Sequence, residues 1–121
     1  TQAEHLQSGN QLITDAPTDN NGKGEAFSPT DLVATALGSC IITIMGIKAQ
    51  SLGFELPALT CDIQKTMAAN PRRIAAIDVN IQFIEDVPQA HRDALERAGR
   101  ACPVAKSLHP DLEQSIRFTY P

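Results

Sequence analysis

Tryptophan is absent from this chain of 121 residues, which holds only four phenylalanines and one tyrosine. So thin an aromatic complement disfavours a surface on which nucleic-acid bases stack. No long basic run occurs and the net charge is −4, so neither nucleic acid nor an acidic membrane surface is an expected partner. The three histidines, His5, His91 and His109, form no metal-ligand pattern, and no CxxC pair is present. A metal centre is therefore not expected. "GKGE" (22–25) lacks the Walker spacing and precedes a helix instead of following a strand, so it is not a phosphate loop. The opening "TQAEHLQSGN" is polar and does not read as a signal peptide. Cysteines number three, Cys40, Cys61 and Cys102. An odd count without a secretion signal predicts reduced thiols in a cytoplasmic protein, not a disulfide framework.

What is present suits one domain, 1–121, with a core of its own. Residues 3–8 and 11–15 read as short strands joined by the turn signal "SGN". "DAPTDNNGKGEAF" (15–27) is rich in turn formers and reads as a surface loop of functional length. A helix then starts with Ser28 as cap, Pro29 in the first turn and Asp31 complementing the helix dipole. It runs to about Ser51, with Gly53 beyond its end. No charge occurs from Leu32 to Ile47. The run is short for a membrane span and predicts a helix buried on most sides in a soluble protein. "LTCDI" and "IDVNIQF" alternate with period two about the turn "NPRR" (70–73). From Pro88 an amphipathic helix turns Ala90, Ala94, Leu95 and Ala98 inward. Its exposed side carries charged residues, with His91 expected in solvent. "CPVAKSLHP" starts a second, short helix with Cys102 at its cap, and "SIRFTY" closes the chain as a strand. The order ββ-α-ββ-α-α-β predicts an α+β fold with helices on an antiparallel sheet.

The cysteines differ in setting. Cys61 alternates with apolar neighbours and reads as a small core residue. Cys102 stands at a helix start, where N–H groups favour a thiolate, and it is readable either as a reactive thiol or as a plain cap. Cys40 lies in mid-helix among Leu37, Ile41 and Ile44. A thiol so buried is inert unless another part of the fold brings a cation to it. Gly38 and Ser39 leave room for a substrate or a second backbone, so both readings of Cys40 stay open.

"SPTDLVATALGSC" (28–40), the helix beyond it and "ACPVAKSL" (101–108) together resemble the OsmC/Ohr family, osmotically induced protein C and the organic hydroperoxide resistance proteins. The approach "TDAPTDNNGKGEAFSPTDL" is similar to a peroxiredoxin-like subgroup of that family. The resemblance implies an OsmC-like fold: antiparallel sheet packed around a long central buried helix, in an intertwined homodimer with active sites at the interface. It further implies thiol-dependent peroxidase activity on organic hydroperoxides. Cys40 would be the peroxidatic thiolate and Cys102 the resolving thiol, with an external dithiol as reductant and no metal or bound cofactor.

At two positions the chain departs from the family pattern. Family peroxidases carry a glutamate ten residues before the first cysteine, where this chain has Thr30 with Asp31 beside it. They also hold the thiolate with an arginine from the N-terminal strands, whereas the first arginine here is Arg72 and the nearest basic residue before the helix is Lys23. Ten helical residues rise about 15 Å, so Thr30 cannot reach the Cys40 of its own helix. Two such helices crossing antiparallel near Thr35, through Ala34, Ala36 and Gly38, would bring the positions together. Asp31 points about half a turn away from the Cys40 direction, at about 100° per residue. These departures also admit a weakly catalytic or non-catalytic redox sensor or small-ligand binder on the same fold.

Overall fold

The computed structural model describes every residue, Thr1–Pro121. Two compact units divide the chain, Thr1–Val33 and Ala34–Pro121.

In the N-terminal unit, β1 (Gln2–Glu4) and β2 (Gln11–Ile13) pair antiparallel, with Ala3 opposite Leu12. Both strands are shorter than the sequence predicts, because the turn consumes His5–Asn10. The His5 amide donates to the Asn10 carbonyl, and Gly9, at φ +74°, donates to the His5 carbonyl. The loop that follows is folded around one carboxylate: Asp15 Oδ2 accepts the amides of Lys23 and Glu25, each at 3.2 Å. A single 3-10 turn, Thr18–Asn20, lies within it. Gly22 passes so close to the Ala16 carbonyl that no Cβ fits between them. Thr14 and Phe27 close the loop through a parallel bridge.

Helix α1 spans Pro29–Ser51. Its start is a reciprocal cap: Ser28 Oγ accepts the Asp31 amide at 3.0 Å, and Asp31 Oδ2 accepts the Ser28 amide at 2.9 Å. Each bond satisfies a donor that the helix itself leaves open. At the other end Gly53 adopts φ +90° and the Phe54 amide returns to the Ala49 carbonyl at 3.1 Å. A left-handed residue just past a helix satisfies its last carbonyls in this way.

The C-terminal unit is built on a three-stranded sheet in the order β3 (Leu59–Ala68), β4 (Arg73–Phe83), β5 (Glu113–Thr119). β3 and β4 pair antiparallel, with a register shift at Thr66/Met67. β5, however, runs parallel to β4, with Val79 opposite Ile116. The sheet is therefore mixed and not antiparallel as the sequence predicts. Helices α2 (Gln89–Arg100) and α3 (Pro103–Ser107) form the connection, long enough to bring the chain back to the starting end of β4 before β5 begins.

One sheet face packs on α1. Ile77, Val79, Ile81 and Phe83 of β4 join Leu37, Ile41, Met45 and Ala49 of α1, with Leu95 of α2. Burying each large aliphatic side chain contributes roughly 1.5–3 kcal/mol. Close approach is set by two glycines. A Cβ on Gly38 would lie inside van der Waals contact of Ile63 Cδ1 and 3.3 Å from Cys61 Sγ; one on Gly99 would lie 3.0 Å from Ile41 Cγ2. On α2, Leu95 and Gly99 face the core and Ala94 and Ala98 border it, but Ala90 is exposed, because it sits in the first turn, beyond the edge of the packed surface. His91 is half-buried and stacks on Phe54, with ring centroids 5.2 Å apart, instead of standing in solvent.

Burial of α1 is one-sided. Ala36, Ser39, Thr43 and Ile47 face outward in the single chain, because its sheet and helices cover only the opposite stripe. At 23 residues α1 is also long and apolar enough to cross a bilayer, so the brevity of the uncharged run is no argument against a span. In this fold its apolar stripe packs on protein.

Candidate active site

Cys40 and Cys102 arrive from different directions. Cys40 is carried on the flank of α1, next to the buried stripe, and is half-buried against the core cluster. Cys102 follows α2 at the junction with α3, in extended conformation (φ −63°, ψ 152°), with Pro103 beginning the helix. Proline suits that position because the first turn offers its missing N–H no partner. The Cys102 side chain is fully buried.

The two cysteines are neighbours: the Cys40 side chain lies near enough to Cys102 to act on its thiol, and neither thiol is in a disulfide. Cys102 also caps α3: its Sγ accepts the Ala105 amide at 3.4 Å. Burial is the main influence on the Cys102 thiol and pushes it above the ordinary value. The amides of Ala105 and Val104 pull in the other direction, while the Cys40 side chain adds to the rise. No lysine or arginine is among the groups that shift it. The dipole argument for a reactive Cys102 thus loses to desolvation: α3 is only five residues long, and a buried charge costs more than two weak N–H contacts return.

The remaining expected residues lie in the N-terminal unit. Thr30 Oγ1 is 3.2 Å from Ser28 Oγ. Asp31 spends a carboxylate oxygen on the cap of α1. The Lys23 amide belongs to the Asp15-centred loop. Cys61 is the half-buried core thiol its strand pattern predicts, shifted upward by burial and then by the neighbouring Asp62 charge.

Two positioning contacts carry no local sequence signal. Gln114 Nε2 donates to the Ala105 carbonyl at 3.0 Å and ties α3 to the start of β5. Arg100, two residues before Cys102, reaches the Ile116 carbonyl at 3.0 Å and covers the Phe118 ring. Both depend on partners distant in sequence. Chemically, two adjacent thiols, one partly open and one enclosed, can pass between dithiol and disulfide.

A family model described as OsmC-like protein matches residues 22–116. No curated protein matches the chain. Among solved structures, a candidate osmotic stress induced and detoxification response protein of Psychrobacter arcticus 273-4 is 47% identical, covering 97% of this chain and 85% of that one, with a TM-score of 0.91. An organic hydroperoxide resistance protein of Legionella pneumophila shares the fold at 16% identity and TM-score 0.76, covering 96% and 86% of the two chains. Another from Elizabethkingia anophelis does so at 10% identity and TM-score 0.77, covering 98% and 86%. Their α+β architecture is that of this chain, and by the span of the family match and the 47% relative the protein belongs to the OsmC-like family.

Proposed function

We propose that the protein is a thiol-dependent peroxidase that reduces organic hydroperoxides to alcohols, with Cys40 as nucleophile and Cys102 as resolving thiol. The observation that carries this reading is the proximity of a half-buried thiol to a fully buried one. The Cys40 thiolate attacks the terminal peroxide oxygen. The O–O bond breaks, the alkoxide leaves and takes a proton to become the alcohol, and Cys40 becomes a sulfenic acid. The Cys102 sulfur then displaces hydroxide from that sulfenic acid, its own proton completing a water molecule, and a Cys40–Cys102 disulfide forms. An external dithiol returns both thiols by exchange. Each cycle reduces one hydroperoxide with two electrons, and the protein supplies no metal or organic cofactor. A reducing, cytoplasmic compartment suits this demand for a dithiol.

The working form is a homodimer. The outward face of α1 displays Ala36, Ser39, Thr43 and Ile47 without a charge, and Ile47 is 58% exposed. A second copy covers such a stripe best by crossing it with its own. Of the small residues expected at the crossing, Ala34 and Gly38 are turned inward, so Ala36 and Ser39 provide the close approach.

A second reading is a weakly catalytic redox sensor. It is favoured by Thr30 standing where family peroxidases have glutamate. Turnover of cumene or tert-butyl hydroperoxide with a dithiol reductant separates the two. The peroxidase reading expects multiple turnovers that Cys40→Ser abolishes. Intact mass should fall by two hydrogens after one equivalent of peroxide. Undiminished turnover in Cys40→Ser removes Cys40 from the mechanism; a stoichiometric mass change without turnover supports the sensor.

A further inference from the structure

Cys102 stands on a stretch of chain that cannot hold itself. It lies extended between the end of α2 at Ala101 and the start of α3 at Pro103. α3 has five residues, well under the roughly 12–15 below which an isolated helix is marginal. Strand β5 holds this stretch on both sides of the thiol. Before it, the Arg100 guanidinium donates to the Ile116 carbonyl at 3.0 Å and covers the Phe118 ring. After it, Gln114 Nε2 donates to the Ala105 carbonyl at 3.0 Å, and the Ala105 amide donates to Cys102 Sγ at 3.4 Å. Gln114 thus acts on the sulfur through a single residue, Ala105. The strand in turn is registered to the core. Gln114 and Ile116 lie opposite Ile77 and Val79 of β4. Those two β4 residues belong to one buried cluster with Leu37 and Ile41 of α1, the helix that carries Cys40.

We infer that Gln114 and Arg100 are positioning residues for the resolving thiol: through them β5 holds Cys102 where its sulfur can bond to that of Cys40. This deepens the peroxidase reading and rests on it for what oxidises Cys40, but not for the pairing of the two thiols. The step concerned forms the Cys40–Cys102 S–S bond and breaks the S–O bond of the Cys40 sulfenic acid, and water leaves with the Cys102 proton. It is intramolecular, so its rate and its equilibrium both follow how closely the two sulfurs are held. Neither positioning residue acts by charge on the sulfur. Gln114 is neutral, and the Arg100 guanidinium is engaged by a carbonyl and a ring. Attack on the hydroperoxide by Cys40 draws on neither of them.

The test uses the full-length protein in two measurements. In the first, one equivalent of tert-butyl hydroperoxide is added to the reduced chain, and the lifetime of the Cys40 sulfenic acid is read by timed dimedone trapping and peptide mass mapping. In the second, no peroxide is present: the two thiols are equilibrated with reduced and oxidised dithiothreitol, and the fraction of Cys40–Cys102 disulfide is read by alkylation. Gln114→Leu, and the isosteric Gln114→Glu, which has no donor, should lengthen the sulfenic lifetime about fivefold and lower the disulfide equilibrium constant about fivefold, the worth of one neutral hydrogen bond. Arg100→Leu should act in the same direction, and Arg100→Lys, which keeps a donor, should restore the wild-type behaviour. The rate of alcohol release in the first turnover should not change in any of them. Tyr120→Phe is the control: it breaks the bond from the end of β5 to Glu96 of α2, touches neither tie, and should leave both readings unchanged. An unchanged lifetime and equilibrium in Gln114→Leu and Arg100→Leu, or an equal effect of Tyr120→Phe, overturns the inference. A wild type that releases no alcohol, but whose dithiothreitol equilibrium shifts in the variants, keeps the positioning and loses the peroxidase. One that turns over hydroperoxide while no variant moves either reading keeps the peroxidase and loses the positioning.

Discussion

Replacing Gly38 and, separately, Gly46 by alanine isolates how tightly α1 is seated on the sheet. Both glycines lie inside the same helix, so each substitution gains the same intrinsic helix propensity, about 1 kcal/mol. Their surroundings differ. A Cβ on Gly46 meets no atom within 4 Å. On Gly38 it lies 3.1 Å from Ile63 Cγ1 and 3.3 Å from Cys61 Sγ, and closer still to Ile63 Cδ1. The δ-methyl can swing away by rotation about χ2, but Cγ1 sits on a β-branched residue whose χ1 is stiff. Overpacking of this kind costs about 1–3 kcal/mol. Gly46→Ala is therefore expected to raise stability by about 1 kcal/mol. Gly38→Ala should leave it unchanged or lower it by up to about 2 kcal/mol. Urea unfolding at one fixed protein concentration, with equal m-values, measures both. If Gly38→Ala is as stabilising as Gly46→Ala, the close approach of α1 to β3 is wrong.

Three other outcomes are expected. Ser28→Ala removes the side-chain oxygen that accepts the Asp31 amide and should cost about 1 kcal/mol of stability, read as a lower denaturation midpoint. Cys102→Ser should still yield one equivalent of alcohol per chain in a rapid-mixing experiment and form a Cys40 sulfenic acid trappable by dimedone, but multiple turnover should stop, since no thiol remains to resolve it. Burial holds the Cys102 and Cys61 thiols above their unfolded value. Their contribution to stability is then fully present below about pH 8.5 and is lost as the pH rises through the folded-state values. The denaturation midpoint under reducing conditions should fall above that pH, and Cys61→Ala should flatten part of the fall.

Much of the fold is legible because local chemistry decides it. Ser28, Pro29 and Asp31 mark the start of α1, and Cys102-Pro103 marks that of α3. The alternation Ile77, Val79, Ile81, Phe83 names the buried face of β4. Other features have no local cause. The parallel entry of β5 is decided by how far α2 and α3 carry the chain. The outer halves of β3 and β4 extend to Ala68 and back to Arg73 through a register shift at Thr66/Met67, where period-two alternation fails. The inward side of α1 is hidden for a different reason: with no charge from Leu32 to Ile47 there is no polar stripe to oppose the apolar one. Gly38 faces inward because Ile63 and Cys61 meet it there, and Ala34 because it packs into the core. The same uniformity hides which way Cys40 points. Its proximity to Cys102 is a property of the tertiary fold, signalled in the sequence only by the motif resemblance.

The unequal setting of the two sulfurs bears on the order of the proposed chemistry. A hydroperoxide diffusing from solvent finds Cys40 partly open and Cys102 fully enclosed. Burial further opposes ionisation at Cys102, and a thiol is a far weaker nucleophile than a thiolate. Attack at Cys102 first would thus require both entry to a packed site and a buried charge. Attack at Cys40 needs no entry to a fully packed site, and it leaves the sulfenic oxygen near the Cys102 thiol. The burial that makes Cys102 a poor first nucleophile keeps bulk peroxide away from it. What makes it suitable as the second is proximity, since an intramolecular partner needs far less intrinsic reactivity than one that must be met by diffusion.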